Sequence, residues 1–308
     1  MGLQIGLQFI SHRIAVTPDS PQISMSPPSR RHLLWFLGSF AFFTSLSQPA
    51  RLLAQFLQTP QSQRWLEIRR ITGRVTFRVN SRSTRAAAVG DRLQAVGQGV
   101  STGPRSSAVL AIDDGIGFIQ VSENTDLQVR SLHIQYGGGK ITELRVNRGQ
   151  ARLNVRRFTN PNSRLRINTP AGVAAVRGTE FGITVTESGR SGITTESGVV
   201  EVSAQDTTVT LTPHQFSTIV PGEAPAPARF ISIDLSLQVQ SIVPLGVNQL
   251  VFTALTEAPN LVLINGQEVS VDQNGGIAAT VVKPADKQLN VLIRNPLGQE
   301  QSYMYQVP

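Results

Sequence analysis

At 308 residues the chain has room for two ordinary domains and a leader. Its 40% hydrophobic and 16% charged residues exclude a highly charged disordered chain, and 26 Gly with 18 Pro imply many turns. The absence of cysteine excludes disulfides, thiolate chemistry, cysteine metal sites and lipid attachment through an N-terminal cysteine, while the formal charge of +8 points to an anionic partner.

Residues 1–57 read as an export signal and leader. Arg30 and Arg31 precede the apolar run Leu33 to Leu46, and small or polar residues follow at Ser45, Ser47 and Ala50. That order is the one a secretory signal peptide uses. The run is shorter than the roughly 20 residues a membrane-crossing helix needs, so cleavage is expected and membrane contact only if the run is retained. Ser29-Arg30-Arg31-His32-Leu33-Leu34 resembles a twin-arginine signal, so export by the Sec or the twin-arginine route leaves a periplasmic or secreted protein. Met25 is an alternative start.

From about Arg64 onward short alternating segments predict strands in an all-β module over 58–222. Val75, Phe77 and Val79 alternate with polar residues, and Val109 to Ile112, Gly117 to Val121 and Leu127 to Val129 follow between turn signals. Gly137-Gly138-Gly139 precedes a strand and reads as a hairpin loop, with no phosphate-cradling role. The basic character sits here: residues 64–228 hold 20 Lys+Arg against 13 Asp+Glu, and 230–308 hold 3 against 6. All but Lys140, Lys283 and Lys287 of the cations are arginines.

Between Ile141 and Ile167 the alternation sharpens. Leu144, Val146, Ala151, Leu153, Val155, Leu165 and Ile167 are expected on one side, with Arg145, Arg152, Arg156, Arg164 and Arg166 on the other. Adjacent strands are expected to gather these five guanidinium groups into one patch. Two readings follow: a site for carboxylate or phosphate groups, or a solvated face whose arginine stems cover the sheet. Only Phe158 interleaves with these arginines, so nucleic acid is not expected.

The run Ile167 to Phe181, INTPAGVAAVRGTEF, resembles the signature of the FecR domain, in which a strand ending in Thr-Pro leads through small residues to Val-Arg-Gly-Thr and an aromatic. Thr195 to Val202 and, upstream, Gly90-Asp91-Arg92-Leu93, Gly97 to Thr102 and Asp114-Gly115 are similar to the family's order. The resemblance covers about residues 65–222. It implies an extracytoplasmic β-solenoid or sandwich module, and it makes Thr169, Pro170, Arg177, Gly178, Thr179, Glu180 and Phe181 fold-making residues. Gly178 permits a tight or positive-φ backbone, and Arg177 pairs with Glu180 or caps carbonyls. The best-known members are transmembrane regulators that relay an iron-uptake signal to a sigma factor. The residues ahead of Leu33 are too few for their cytoplasmic anti-sigma segment, so the module is expected without it.

Val220 to Ala228 is rich in Pro and Ala, which places an extended linker at 223–229. Beyond it, Ile231, Ile233, Leu235, Leu237 and Val239 predict a strand, and six further apolar runs with Asn265-Gly266 and Asn274-Gly275 turns predict a small sandwich over 230–308. Val262 to Gly275 resembles bacterial immunoglobulin-like accessory domains. Tyr303 and Tyr305 share a face and read as core.

No catalytic constellation is expected. Neither His133 nor His214 lies beside a second histidine at ligand spacing, His12 and His32 are expected to leave with the leader, and Asp113-Asp114-Gly115 reads as a turn and lacks a calcium loop's ligands. No catalytic residue, cofactor or metal site is assigned. The expectation is a non-enzymatic binding or scaffolding protein of the cell envelope that recognises a protein or an anionic wall polymer. The alternatives are an envelope signalling receptor of the FecR type acting through a membrane partner, and a purely structural spacer.

Overall fold

Alternating apolar and polar side chains, broken every few residues by turns, leave strands as the only way to bury one face, and the fold is all-β. The computed structural model describes residues 64–113, 115–231 and 235–307. The segment expected to be a leader, with its apolar run and Met25, lies outside the described residues.

The first module is built from two sheets. Sheet I runs in the order β4 (Arg92–Leu93), β1 (Leu66–Thr72), β6 (Ser107–Ile112), β7 (Gly117–Val121), β9 (Lys140–Val155), β12 (Glu180–Val185), β13 (Ser191–Ser197), β16 (Gln215–Ile219) and β17 (Arg229–Phe230). Sheet II runs β3 (Thr84–Ala86), β2 (Val75–Arg78), β5 (Gly99–Thr102), β8 (Asp126–Ile134), β9 again, β10 (Arg164–Asn168), β11 (Val173–Val176), β14 (Val200–Ala204) and β15 (Thr207–Leu211). Every pairing named is antiparallel except β9 with β10.

β9 belongs to both sheets, its first half to sheet II and its second half to sheet I. Leu144 and Val146 point inward before the crossing, and Ala151, Leu153 and Val155 after it. The inward side thus changes from even to odd numbers. An extra residue opposite Asp126–Leu127 and Gly149 at φ 87° make the change. Both sheets feed one core, in which Leu110, Ile119, Leu153, Phe181 and Ile183 of sheet I meet Leu127, Leu144, Leu165, Ile167 and Val202 of sheet II.

The segment after residue 222 is extended, and it is held along β16: the Ala226 amide donates to the Thr218 carbonyl, and the Ser217 hydroxyl donates to the Ala226 carbonyl. Arg229–Phe230 then pairs with Gln215–Phe216, so sheet I reaches residue 230.

The second module packs a three-stranded sheet of β18 (Gln238–Leu245), β19 (Gln249–Leu255) and β22 (Gly276–Val282) on a four-stranded sheet. The latter holds β20 (Leu261–Ile264), β21 (Gln267–Val269), β23 (Gln288–Arg294) and β24 (Glu300–Gln306). Its core joins Leu250, Phe252 and Ile277 to Val262, Leu289, Val291 and Ile293, with Tyr303 and Tyr305 stacked at its margin, centroids 6.4 Å apart. Of the strand expected from Ile231 to Val239, residues 232–234 lie outside the described residues, and β18 begins at Gln238. Leu235 and Leu237 still pack on the core, and the Leu235 carbonyl accepts from the Tyr303 hydroxyl, which holds this stretch without a ladder.

Loops of the second module seat on the outer face of sheet I where two glycines leave it bare. A Cβ at Gly182 would stand 1.9 Å from the Pro296 carbonyl oxygen, and one at Gly192 3.1 Å from Pro259 Cα. Around them the Gln150 side chain, 2% exposed as a residue, donates to the Asn295 carbonyl, and the buried Arg190 donates to the Ala258 carbonyl at 2.7 Å. Arg294 of the second module reaches back to Glu123 at 2.8 Å and also holds Glu300.

Candidate anion-binding face

The five arginines expected in one patch lie on two faces. Because β9 changes sheets at Gly149, Arg145 stands with Arg164 and Arg166 outside sheet II, while Arg152 and Arg156 stand outside sheet I. A strand's faces are conserved only within its own sheet, which is why simple alternation joined them.

On sheet II, Arg166 approaches Glu143 at 3.5 Å. Arg145 lies between Gln128 and Asn168, its Nε buried without a hydrogen-bond partner among the described residues. Arg164, Arg166 and Arg177 line a shallow cavity of about 350 Å³ that also holds Glu201.

On sheet I the pairing registers set up two outward rows. One runs Arg70, Val109, Gln120, Arg152, Gly182, and the next Glu67, Ala111, Phe118, Asn154, Glu180. Strand spacing places Arg70 and Arg152 on the order of 14 Å apart across the floor. From these rows Arg70, Gln120, Arg152, Phe118, Asn154 and Glu180, with Arg69 and Arg156, line a groove of about 630 Å³. Arg156 and Gly115 also line a second cavity of about 350 Å³, shared with Lys140 and Arg157.

Pairing decides which cations are available. Arg152 holds Glu180 through Nη2 at 2.6 Å and Nε at 3.1 Å, and donates to the Leu297 carbonyl of the second module. Glu67, 8% exposed, is neutralised by Arg69 and Arg92, each at 3.0 Å. Arg92 also lies over the Trp65 ring, and Arg85 binds Asp91 with two hydrogen bonds while covering Phe77. That Arg85 hydrogen bond, opposed by partial burial, holds the Asp91 carboxyl below its ordinary value. These arginines are sheet cover. Arg70, Arg156 and Arg157 are exposed and make no ion pair among the described residues.

The signature residues make local contacts within the first module. Thr169 accepts at its hydroxyl from the amides of Ala171 and Gly172 and from Ser191, which closes the turn at Pro170. Gly178 has φ 118°, and a Cβ there would meet Arg157 Cα at 2.2 Å. Phe181 is fully buried, and Thr179 is buried with its carbonyl accepting from Val155. Arg177 does not pair with Glu180, which Arg152 takes; Arg177 stays exposed, and its carbonyl accepts from Phe158.

Sequence reasoning missed Arg70, Phe118 and Gln120, which join the site only through registers of strands far apart in the chain. It also missed the seat of the second module. Outward glycines at 182 and 192, within strands, were the available signal for a close backbone approach.

Residues 98–201 match the FecR protein family. The FecR match spans β5 to the start of β14, so it includes β6, β7, β9 and β12 of the groove but not Arg69 and Arg70 of β1. Among solved structures, a candidate anti-sigma factor from Parabacteroides distasonis is similar at 14% identity and TM-score 0.37, covering 47% of this chain and 68% of its own. A polysaccharide lyase aligns at 12% identity and TM-score 0.19, over 79% of this chain and 40% of its own. No curated protein matches the chain in sequence.

Proposed function

We propose that the chain is a non-catalytic binding protein of the cell envelope whose FecR-containing module holds an anionic polymer across the outer face of sheet I. The observation that carries this reading is the separation of paired from unpaired arginines: Glu67 and Glu180 are neutralised, while Arg70 and Arg156 face the groove with no ion pair among the described residues. Guanidinium groups in that state favour carboxylate or phosphate partners at low ionic strength. The FecR match supports a non-enzymatic role, and the Arg30-Arg31 segment before an apolar run supports export. Pull-down of the chain with isolated wall and outer-membrane fractions tests the reading. Retention at low salt that is lost in Arg70→Glu/Arg156→Glu is expected, and equal retention of both proteins would refute it.

A second reading, an envelope signalling receptor acting through a membrane partner, is supported at a coarse level by the FecR match. Cross-linking in cells to a single membrane protein, unchanged by the two reversals, would favour it.

A further inference from the structure

We infer that the partner of this face is an acidic polysaccharide, laid along the groove of sheet I past Arg156 into the adjoining cavity. The inference deepens the proposed function and rests on it. Two observations select the class. First, the groove and the second cavity share Gly115 and Arg156, so Arg70, Arg156 and Arg157, which make no ion pair among the described residues, stand along one path. A path of separated charges suits a chain charged on successive units better than one small anion.

Second, the floor of the groove is not only basic. Phe118 is outward in the middle of β7 and 48% exposed, with Asn154 directly across on β9 and Gln120 two residues on. An open aromatic face takes the C–H face of a sugar ring, flanking amides donate to and accept from hydroxyls, and the arginines hold carboxylates. A polyphosphate has no apolar face to lay on Phe118. An acidic peptide would be held best by adding to a free strand edge, but β6, β7 and β9 are each paired on both sides here.

The test is calorimetric titration of the full chain with oligogalacturonates of increasing length, with polyphosphate and poly-glutamate as comparators. Affinity for oligogalacturonate is expected to rise with length until the oligomer spans both cavities. Phe118→Ala is expected to weaken it by about tenfold while changing polyphosphate binding less than about twofold. Phe118 is outward, and an unchanged thermal melt will show that its removal leaves the fold intact. A short oligomer bound as tightly as a long one would overturn the shared path. Tighter binding of polyphosphate or poly-glutamate, or a Phe118→Ala protein that binds oligogalacturonate normally, would overturn the sugar assignment while leaving an anion-binding face. Failure to bind any of the three at low salt would overturn the anion-binding reading itself.

Discussion

Gly182→Ala should separate the two modules without unfolding the first. Gly182 sits in β12 and faces outward, and its added Cβ would lie 1.9 Å from the Pro296 carbonyl oxygen and 2.3 Å from its carbon. Ordinary contact needs about 3.4 Å, so the 295–299 turn must retreat by about 1.5 Å. The Arg152 bond to the Leu297 carbonyl at 3.1 Å and the Gln150 bond to the Asn295 carbonyl at 3.3 Å then pass out of hydrogen-bonding range. A charged and a neutral hydrogen bond contribute about 1.5–3 and 0.5–1.5 kcal/mol, so the seat should lose about 2–4.5 kcal/mol. The first module keeps its own ladder, because alanine is tolerated in an extended strand. Urea unfolding, followed with proteolysis of the 223–229 segment, should change from one transition to two, with the second module melting first. A single transition within about 0.5 kcal/mol of the parent would refute the close-approach argument.

Gly178→Ala should cost about 3 kcal/mol or more, since it combines a left-handed φ with a 2.2 Å clash against Arg157 backbone; a urea midpoint near the parent's would contradict this. Arg294→Ala should destabilise the chain by about 2–3 kcal/mol, less than a fully buried pair because Glu300 is half exposed. Adding Glu123→Gln should recover part of that loss in a double-mutant cycle, because the carboxylate that loses its partner is removed. Burial pushes the Glu268 carboxyl above its ordinary value, so the folded chain binds its proton more tightly than the unfolded chain. Glu268 therefore lowers stability as pH rises from the unfolded carboxylate value through its raised one, and Glu268→Gln should flatten that slope and raise Tm at neutral pH. Asp91 works in the opposite sense: held low by Arg85, its contribution is present above the ordinary carboxylate value and lost as pH falls through the depressed one.

Most strands were legible because each follows from local alternation and turn chemistry. Gly117 to Val121, the Gly137–Gly139 hairpin and the turns at Asn265-Gly266 and Asn274-Gly275 all stand where the residues predict them. The candidate site was legible only in part. The switch from Val146 to Ala151 is visible as a break in alternation at Gly149, but which sheet the strand enters next depends on partners at Phe118 and Phe181. Arg70 reaches the site through the β6–β7 hairpin at Val109 and Gln120, which pairs with β1 from a distant stretch of the chain. Leu235 and Leu237 alternate as a strand would, yet they are held by the core and Tyr303, and alternation alone does not report a ladder.

The central claim is that the arginines on sheet I with no ion pair among the described residues hold an anionic chain. Its most direct test is the salt dependence of binding to polygalacturonate, measured for the parent and for Arg70→Glu/Arg156→Glu. The parent should lose affinity steeply as salt rises, and the double variant should bind weakly with a log–log slope smaller by about two. Equal affinity and an equal slope in the two proteins would contradict it.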